Sequence, residues 1–144
     1  MPERRVSYET TALGQLTGIE IEAPSLQRLF IDAALALNDY RVALDLVKGE
    51  GKEVIEVEAP NADALLFTWL NACAALHGTK KFLACRIVFD FFDGKKIRAT
   101  LTGETFVSTR HGFAQPFTAV AQEAFEKREL SGFDGGFSLR FFLK

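Results

Sequence analysis

Alternation of apolar and polar residues predicts most of the strands of this chain. Between residues 17 and 23, isoleucine and alanine fall on one face and glutamate on the other, which is the period of a half-buried strand. Asp93-Gly94 lies between two alternating segments, and this pair favours the tight turn of a β-hairpin. The same reasoning predicts further strands at residues 53–58, 82–92 and 95–102 and, near the C-terminus, from Phe137 to Phe141.

A first helix follows the first predicted strand. Ser25 is placed to cap it, because a serine side chain accepts a hydrogen bond from a free amide of the first turn. Asn38-Asp39 is expected to weaken its end. The apolar stripe that predicts this helix consists of Leu26, Leu29, Phe30, Ala33, Ala34 and Leu37.

A second helix is predicted to open at Pro60-Asn61 and to end at Gly78. Its apolar stripe consists of Leu66, Trp69, Leu70 and Cys73. The segment 117–128 is ambiguous, because its apolar spacing and its composition favour a helix while its surroundings are unknown at this stage.

These elements predict an α+β fold, with two helices packed on one face of a largely antiparallel or mixed β-sheet. We found no linker or repeat, and therefore expect a single domain over residues 1–144. The apolar share of 48% is ordinary for a soluble globular protein, and the net charge of −2 gives no general attraction to nucleic acid. No apolar stretch is long enough to span a membrane or to serve as a signal peptide, so we expect a cytoplasmic protein.

Candidate chemistry is sparse. His77 and His111 are the only histidines, and neither has a neighbour at the spacing of a metal site. His77 lies near the predicted end of the second helix, where a cationic or hydrogen-bonded ring complements the helix terminus. His111 lies in a polar loop, Ser108-Thr109-Arg110-His111-Gly112, with no partner that would make a catalytic pair. We therefore expect no catalytic residues and no enzymatic activity.

Several segments taken together resemble the archease family over essentially the whole chain. The helix-one segment Ser25-Leu26-Gln27-Arg28-Leu29-Phe30 resembles the family's Ser/Thr-Leu-Glu-Glu-Leu-Phe run. A Trp-Leu-Asn signature is matched in helix two, and the loop motif Gly-Glu-x-Phe-Asp-x-x-Arg-His is matched at its own spacing except at the aspartate. The Trp-Leu-Asn match is carried by Trp69, Leu70 and Asn71, and the loop match by Gly103, Glu104, Phe106, Arg110 and His111. A further segment, Ala119-Val120, stands where the family has Lys-Ala-Val-Thr-Tyr-His.

The resemblance implies a small accessory protein rather than an enzyme. Archeases are partners of the tRNA-splicing RNA ligase and promote its activation by guanylylation and its repeated turnover. They bind a divalent ion, usually calcium, through aspartates, since hard oxygen ligands suit that ion. In this family the segment that matches residues 117–128 is extended, which favours a strand there.

The departures from the family pattern concern its acidic residues. Leu16, Val42 and Lys144 stand where the family has metal-binding aspartates, and Val107 replaces the aspartate of the loop motif. We therefore expect the calcium site to be absent and no other cofactor to be bound. Further polar positions of the family are filled here by Leu13, Thr68, Thr118, Gln122 and Glu123.

Three retained polar residues, Glu104, Arg110 and His111, are the candidate partner-binding residues, and a local ion pair that holds the loop is the competing interpretation. The first functional hypothesis is an accessory protein of the RNA-splicing ligase in tRNA processing that lacks its own metal. The alternative is an archease-fold module that binds a protein or a small ligand unrelated to RNA ligation. An enzyme is the third and weakest hypothesis.

Overall fold

The computed structural model describes residues 7–129 and 135–144, and in this part of the chain seven strands accompany two long helices. The strands are β1 (Glu9–Leu13), β2 (Leu16–Ala23), β3 (Gly51–Glu58), β4 (Phe82–Phe92), β5 (Lys96–Thr105), β6 (Val120–Glu129) and β7 (Phe137–Leu143). The helices are α1 (Leu26–Arg41), α2 (Ala62–Lys80) and a single turn, α3 (Ser108–His111), with a short 3-10 turn at Leu44–Leu46.

The strands form two sheets rather than the one that the alternation suggested. One sheet has four strands in the order β1-β2-β7-β6, the other has three in the order β3-β5-β4, and every described pair is antiparallel. Both long helices contact strands of both sheets and enclose the core between them. The predicted α+β class is confirmed, and the division into two sheets was missed because alternation does not say which strands pair.

Helix α1 continues through Asn38-Asp39 to Arg41, so the expected weakening is not seen. The Asn38 side chain donates to the Ala34 carbonyl (2.8 Å) and accepts from the Ala84 amide of β4 (3.1 Å), so both ends of its amide are satisfied. A polar residue that is fully hydrogen-bonded in the interior stabilises the element that holds it. At its start α1 is capped by Ser25, as predicted, with the serine hydroxyl accepting from the Arg28 amide.

Helix α2 begins as predicted, since Asn61 accepts from the Ala64 amide at 2.9 Å. It does not end at Gly78, however, but runs to Lys80. Lys81 adopts the left-handed conformation (φ 57°) and donates its amide to the His77 carbonyl, which closes the helix two residues later than expected.

Asn71 in α2 repeats the arrangement of Asn38 in α1. It donates to the carbonyl four residues earlier, that of Phe67, at 3.2 Å, and accepts from the Val120 amide at the start of β6 at 2.8 Å. The matched asparagine of the resemblance thus joins α2 to a strand of the four-stranded sheet.

The ambiguous segment 117–128 is mostly strand, which confirms the interpretation drawn from the resemblance. Residues Val120 to Glu129 pair with β7, while Phe117, Thr118 and Ala119 precede the strand. The predicted last strand is confirmed as β7, and the Asp134 of its preceding turn lies outside the described residues. Among the described helices, none is long and apolar enough to cross a membrane.

Candidate functional site

The loop motif begins where β5 lies very close to β4. A Cβ atom on Gly103 would come within 1.7 Å of the Leu83 carbonyl oxygen, so no larger residue fits there without moving the backbone. The register of β4 against β5 shifts between Ala84 and Arg86, beside this contact. The glycine of the motif is therefore explained by backbone packing, and it fixes the position of Glu104 next to it.

The Glu104 carboxylate is 8% exposed and has three partners. One oxygen accepts from the Lys48 amide at 2.7 Å and lies 2.8 Å from Nε2 of His111. The other oxygen is paired with the Arg110 guanidinium, which is partly exposed. The carboxylate therefore joins the end of β5, where Glu104 lies, to two other segments: the residues before β3 and the turn α3.

The hydrogen bonds of His111 assign its tautomer. Its Nδ1 accepts from the Val107 amide at 2.8 Å, so in the neutral ring the proton is on Nε2 and is donated to Glu104. The side chain is fully buried. His111 therefore closes the turn of α3 and also links it to β5.

The electrostatics of this cluster favour an ionised carboxylate. Burial on its own would raise the pKa of Glu104, but hydrogen bonds from Arg110, the Lys48 amide and His111 outweigh it and lower this pKa to about 2. The hydrogen bond that Arg110 donates to Glu104 in turn raises the pKa of Arg110. The structure thus brings Glu104, Arg110 and His111 together, and this contact fits the interpretation of a local ion pair that holds the loop; their role in partner binding stays a prediction.

Aromatic packing continues from this cluster to helix α2. The Phe106 ring stacks on His111 with centroids 5.6 Å apart, and His77 approaches the Phe106 ring edge-on at 6.0 Å. Burial and the nearby charge of Arg41 lower the pKa of His77 to about 4, so this ring is neutral near pH 7. Of the two alternatives given for His77, this pKa opposes the cationic ring and leaves the hydrogen-bonded one.

Arg41, the last residue of α1, is a functional candidate that the sequence reasoning missed. It is 4% exposed, and its Nη1 donates to the carbonyls of Gln115 (3.2 Å) and Phe117 (2.8 Å). Its Cζ lies 3.7 Å from the centroid of the Phe117 ring. The signal that could have found it is its spacing, because Arg41 follows Leu37 by four residues and continues the buried stripe of α1.

The three positions where the family has metal-binding aspartates lie at this same end of the molecule. Leu16 precedes Thr17, which pairs with Leu143 next to Lys144, and Val42 directly follows Arg41. Tyr40 connects the helix to this strand by a hydrogen bond to the Thr17 hydroxyl at 3.4 Å. None of the three side chains at the family positions carries an oxygen.

The nearby oxygen atoms already have partners. The Lys144 carbonyl accepts from the amides of Thr118 and Ala119, and the carbonyls of Gln115 and Phe117 accept from Arg41. Asp39, which lies three residues from the family position, accepts from the Tyr8 hydroxyl and the Leu44 amide. Within residues 7–129 and 135–144 no group of three or more metal-ligating side chains comes together. These residues do not fit a divalent ion, whose charge needs several converging carboxylates.

Several large apolar side chains near these segments are exposed. Val107 and Phe113 flank α3 and are 44% and 72% exposed. Leu46 precedes the Lys48 amide that binds Glu104, and Leu13 lies at the turn between β1 and β2. Large exposed apolar residues of this kind indicate a contact surface when they group together. The others that the described residues expose, Val54, Val88 and Phe91, lie on β3 and β4.

The sequence profile of the archease protein family matches residues 17–132. The chain belongs to the archease family. It is 28% identical over 92 residues to the protein archease of Pyrobaculum neutrophilum and 32% identical over 92 residues to that of Pyrobaculum calidifontis. Each match spans 62% of this chain and 63% of the curated relative, which is less than two thirds of the relative's length.

A solved structure shares the fold. The solution structure of Methanobacterium thermoautotrophicum protein 1598 superposes with a TM-score of 0.76 and 24% sequence identity. The superposition covers 94% of this chain and 96% of that one. The resemblance drawn from the four motifs is thereby confirmed.

Proposed function

We propose that this chain is an archease-type accessory protein of an RNA-splicing ligase in tRNA processing, and that it acts by binding the ligase rather than by catalysis. Family membership supports the class of function. The polar cluster around Glu104 supports the location of the contact, because it fixes the loop that carries the exposed Phe113.

The contact surface in this proposal is the end of the molecule that carries Val107, Phe113, Leu46 and Leu13. An interface needs apolar residues that become buried and polar residues that orient the partner. Arg110 meets the second need, since its guanidinium is partly exposed while it is paired with Glu104. We refer to these five residues as the loop-end surface.

The proposal includes the loss of the family's calcium site. Leucine, valine and lysine at positions 16, 42 and 144 offer no carboxylate, and a lysine repels a cation. Isothermal titration of the purified protein with calcium tests this part, and tight stoichiometric binding would contradict it.

The main test is a multiple-turnover RNA ligation assay with the RNA-splicing ligase of the host. We expect the protein to increase both guanylylation of the ligase and the number of turnovers. Phe113→Ser should abolish most of this stimulation, because it removes the most exposed apolar side chain of the loop-end surface. Phe91→Ser is the matched control, since Phe91 is 46% exposed on β4 and lies outside this surface, and it should leave the stimulation unchanged.

An absence of stimulation by the wild-type protein, together with no ligase recovered in a pull-down from the host, would reject the ligase as partner. The alternative function, an archease-fold module that binds another protein or a small ligand, would then be favoured. Equal losses in Phe113→Ser and Phe91→Ser would reject the loop-end surface as the contact.

A further inference from the structure

Helix α1 ends in a buried positive charge, Arg41, which pairs with no carboxylate of residues 7–129 and 135–144. The Arg41 guanidinium is 4% exposed, and its bonding partners are two carbonyl oxygens and the face of one aromatic ring. Its Nη2 has no hydrogen-bond partner among the described residues. Transferring a charge into the protein interior is costly, so an arrangement of this kind needs a compensating role.

All of the partners of Arg41 belong to one short segment. The Gln115 and Phe117 carbonyls accept from Nη1, the Phe117 ring lies under the guanidinium, and the Gln115 amide donates to the Arg41 carbonyl at 3.0 Å. Carbonyl oxygens and an aromatic face are the electron-rich groups that surround a cation in proteins. The segment 115–117 therefore supplies the acceptors and the aromatic face that bind the guanidinium cation.

The position of this cation matters as much as its partners. Arg41 directly precedes Val42, and the segment it holds leads into Thr118 and Ala119, whose amides bind the Lys144 carbonyl. Val42 and Lys144 are two of the three positions at which the metal-binding acids of the family are replaced. The chain thus supplies a covalently attached cation next to the place where it lacks the ligands for a free one.

We infer that Arg41 is a positioning residue whose guanidinium supplies an internal cation for the loop 112–119, so that this loop is held in place without a metal ion. This inference rests on the proposed loss of the calcium site. The loop carries the exposed Phe113 near its start. The Glu104 cluster holds the residues before Phe113, and Arg41 holds the residues after it.

Chemical rescue of Arg41→Ala tests the inference. Amide NMR spectra of the full chain, recorded without any ligase, serve as the readout. We expect the cross-peaks of residues 113–119 to shift or broaden in the variant while those of the β4–β5 hairpin stay in place. Adding ethylguanidinium at about millimolar concentration should restore them, because it returns the missing cation to the vacated space. Arg98→Ala is the matched control, since Arg98 pairs with Glu56 on the exposed side of β5 and should leave the loop unchanged.

One further additive separates the effect of charge from that of shape. N-ethylurea has the planar shape of ethylguanidinium without its charge, and it should not restore the loop. Equal restoration by the urea would overturn the inference, as would loop cross-peaks that are unchanged in Arg41→Ala. If Arg41→Ala does not fold, Arg41→Met replaces it, because methionine keeps the length and apolar packing of the side chain. Loop cross-peaks that stay in place in Arg41→Met would likewise overturn the inference.

The wild-type protein provides the last comparison. Its loop cross-peaks should not respond to calcium or to a chelator, and a stoichiometric calcium-dependent shift of residues 113–119 would contradict an internal cation. The rescue experiment contains no ligase, so a failed ligation assay would reject the proposed function and leave the result on Arg41 standing.

Discussion

Two buried charges hold the same loop from opposite sides, and their surroundings differ. Glu104 has three hydrogen-bond donors, one of them a guanidinium, and its pKa is lowered to about 2. Arg41 has only neutral acceptors and an aromatic ring, and burial lowers its pKa from 12.5 to about 10. A lowered pKa means that the surroundings favour the charged form of an acid such as Glu104. For a base such as Arg41, a lowered pKa means that they oppose the charged form.

The difference shows that burial of a charge does not have a fixed effect on stability. The Glu104 carboxylate is more favourable in the folded protein than in the unfolded chain, so its ionisation stabilises the fold at neutral pH. The Arg41 guanidinium loses hydration on burial without gaining a carboxylate partner among the described residues, so its charge offsets part of what its hydrogen bonds contribute to stability. We therefore expect substitutions at Glu104 to act on the whole fold and substitutions at Arg41 to act mainly on the loop.

The largest effect is expected from Gly103→Ala, which moves the strand that carries Glu104. The new methyl group would overlap the Leu83 carbonyl, and the backbone would have to shift, at a cost of about 3 kcal/mol or more in the free energy of unfolding. Urea unfolding measures this cost. Gly78→Ala is the control, because the space around Gly78 in α2 is open and alanine there should stabilise the helix by about 0.5–1 kcal/mol. Similar effects of the two substitutions would contradict the close approach.

Glu104→Gln should lower the free energy of unfolding by about 2 kcal/mol, since a neutral amide is a weaker acceptor for three buried or partly buried donors. Arg41→Met should cost less, about 1 kcal/mol, because the lost hydrogen bonds are offset by removal of a desolvated charge. Urea unfolding of both variants and the wild type at neutral pH would measure these two losses. A larger loss in Arg41→Met than in Glu104→Gln would reverse the comparison.

The contribution of Glu104 should depend on pH in a defined window. The folded pKa of about 2 lies below the ordinary value of 4.5, so the unfolded chain takes up the proton first as the pH falls. The difference in stability between the wild type and Glu104→Gln should be fully present above pH 4.5, and it should shrink as the pH falls toward about 2. Urea unfolding of both proteins through this range measures it, and a difference that stays constant would contradict the assigned ionisation.

The last prediction concerns which ring nitrogen of His111 carries the proton, and it is tested on the wild-type protein. Long-range proton–nitrogen correlation spectra should show the Nε2–H tautomer at neutral pH, because Nδ1 accepts from the Val107 amide. Detection of the Nδ1–H tautomer would remove the hydrogen bond from His111 to Glu104, would leave Arg110 as the link between α3 and Glu104, and would contradict the assigned tautomer.

The sequence could predict the parts of the fold that follow from local periodicity. The alternating segments became β2, β3, β4, β5 and β7, and the caps at Ser25 and Asn61 are in place. Strand β1 was missed because, as an edge strand exposed on both faces, it has no alternation to detect. Gly78 did not end α2, because a later residue, Lys81, could adopt the left-handed conformation.

The candidate site was predicted only in part. Glu104, Arg110 and His111 lie within seven residues of each other, and motif spacing alone suggested that they meet. Arg41 and the Gln115 carbonyl are separated by 74 residues, and the contact between them depends on how two sheets pack around α1. No local pattern carries that information. The weakening expected at Asn38 was wrong for a similar reason, since its partner, the Ala84 amide, belongs to a distant strand.

The paired asparagines of α1 and α2 have a consequence for association of the protein with itself. β4 and β6 each form one of the two edges of their sheet, and the free amides of an edge strand are where another polypeptide can add and start aggregation. Asn38 and Asn71 occupy one such amide on each strand with a side chain from a packed helix. The contacts that join helix to sheet therefore also shield these two edges, so loss of either asparagine would make the folded protein more prone to aggregate.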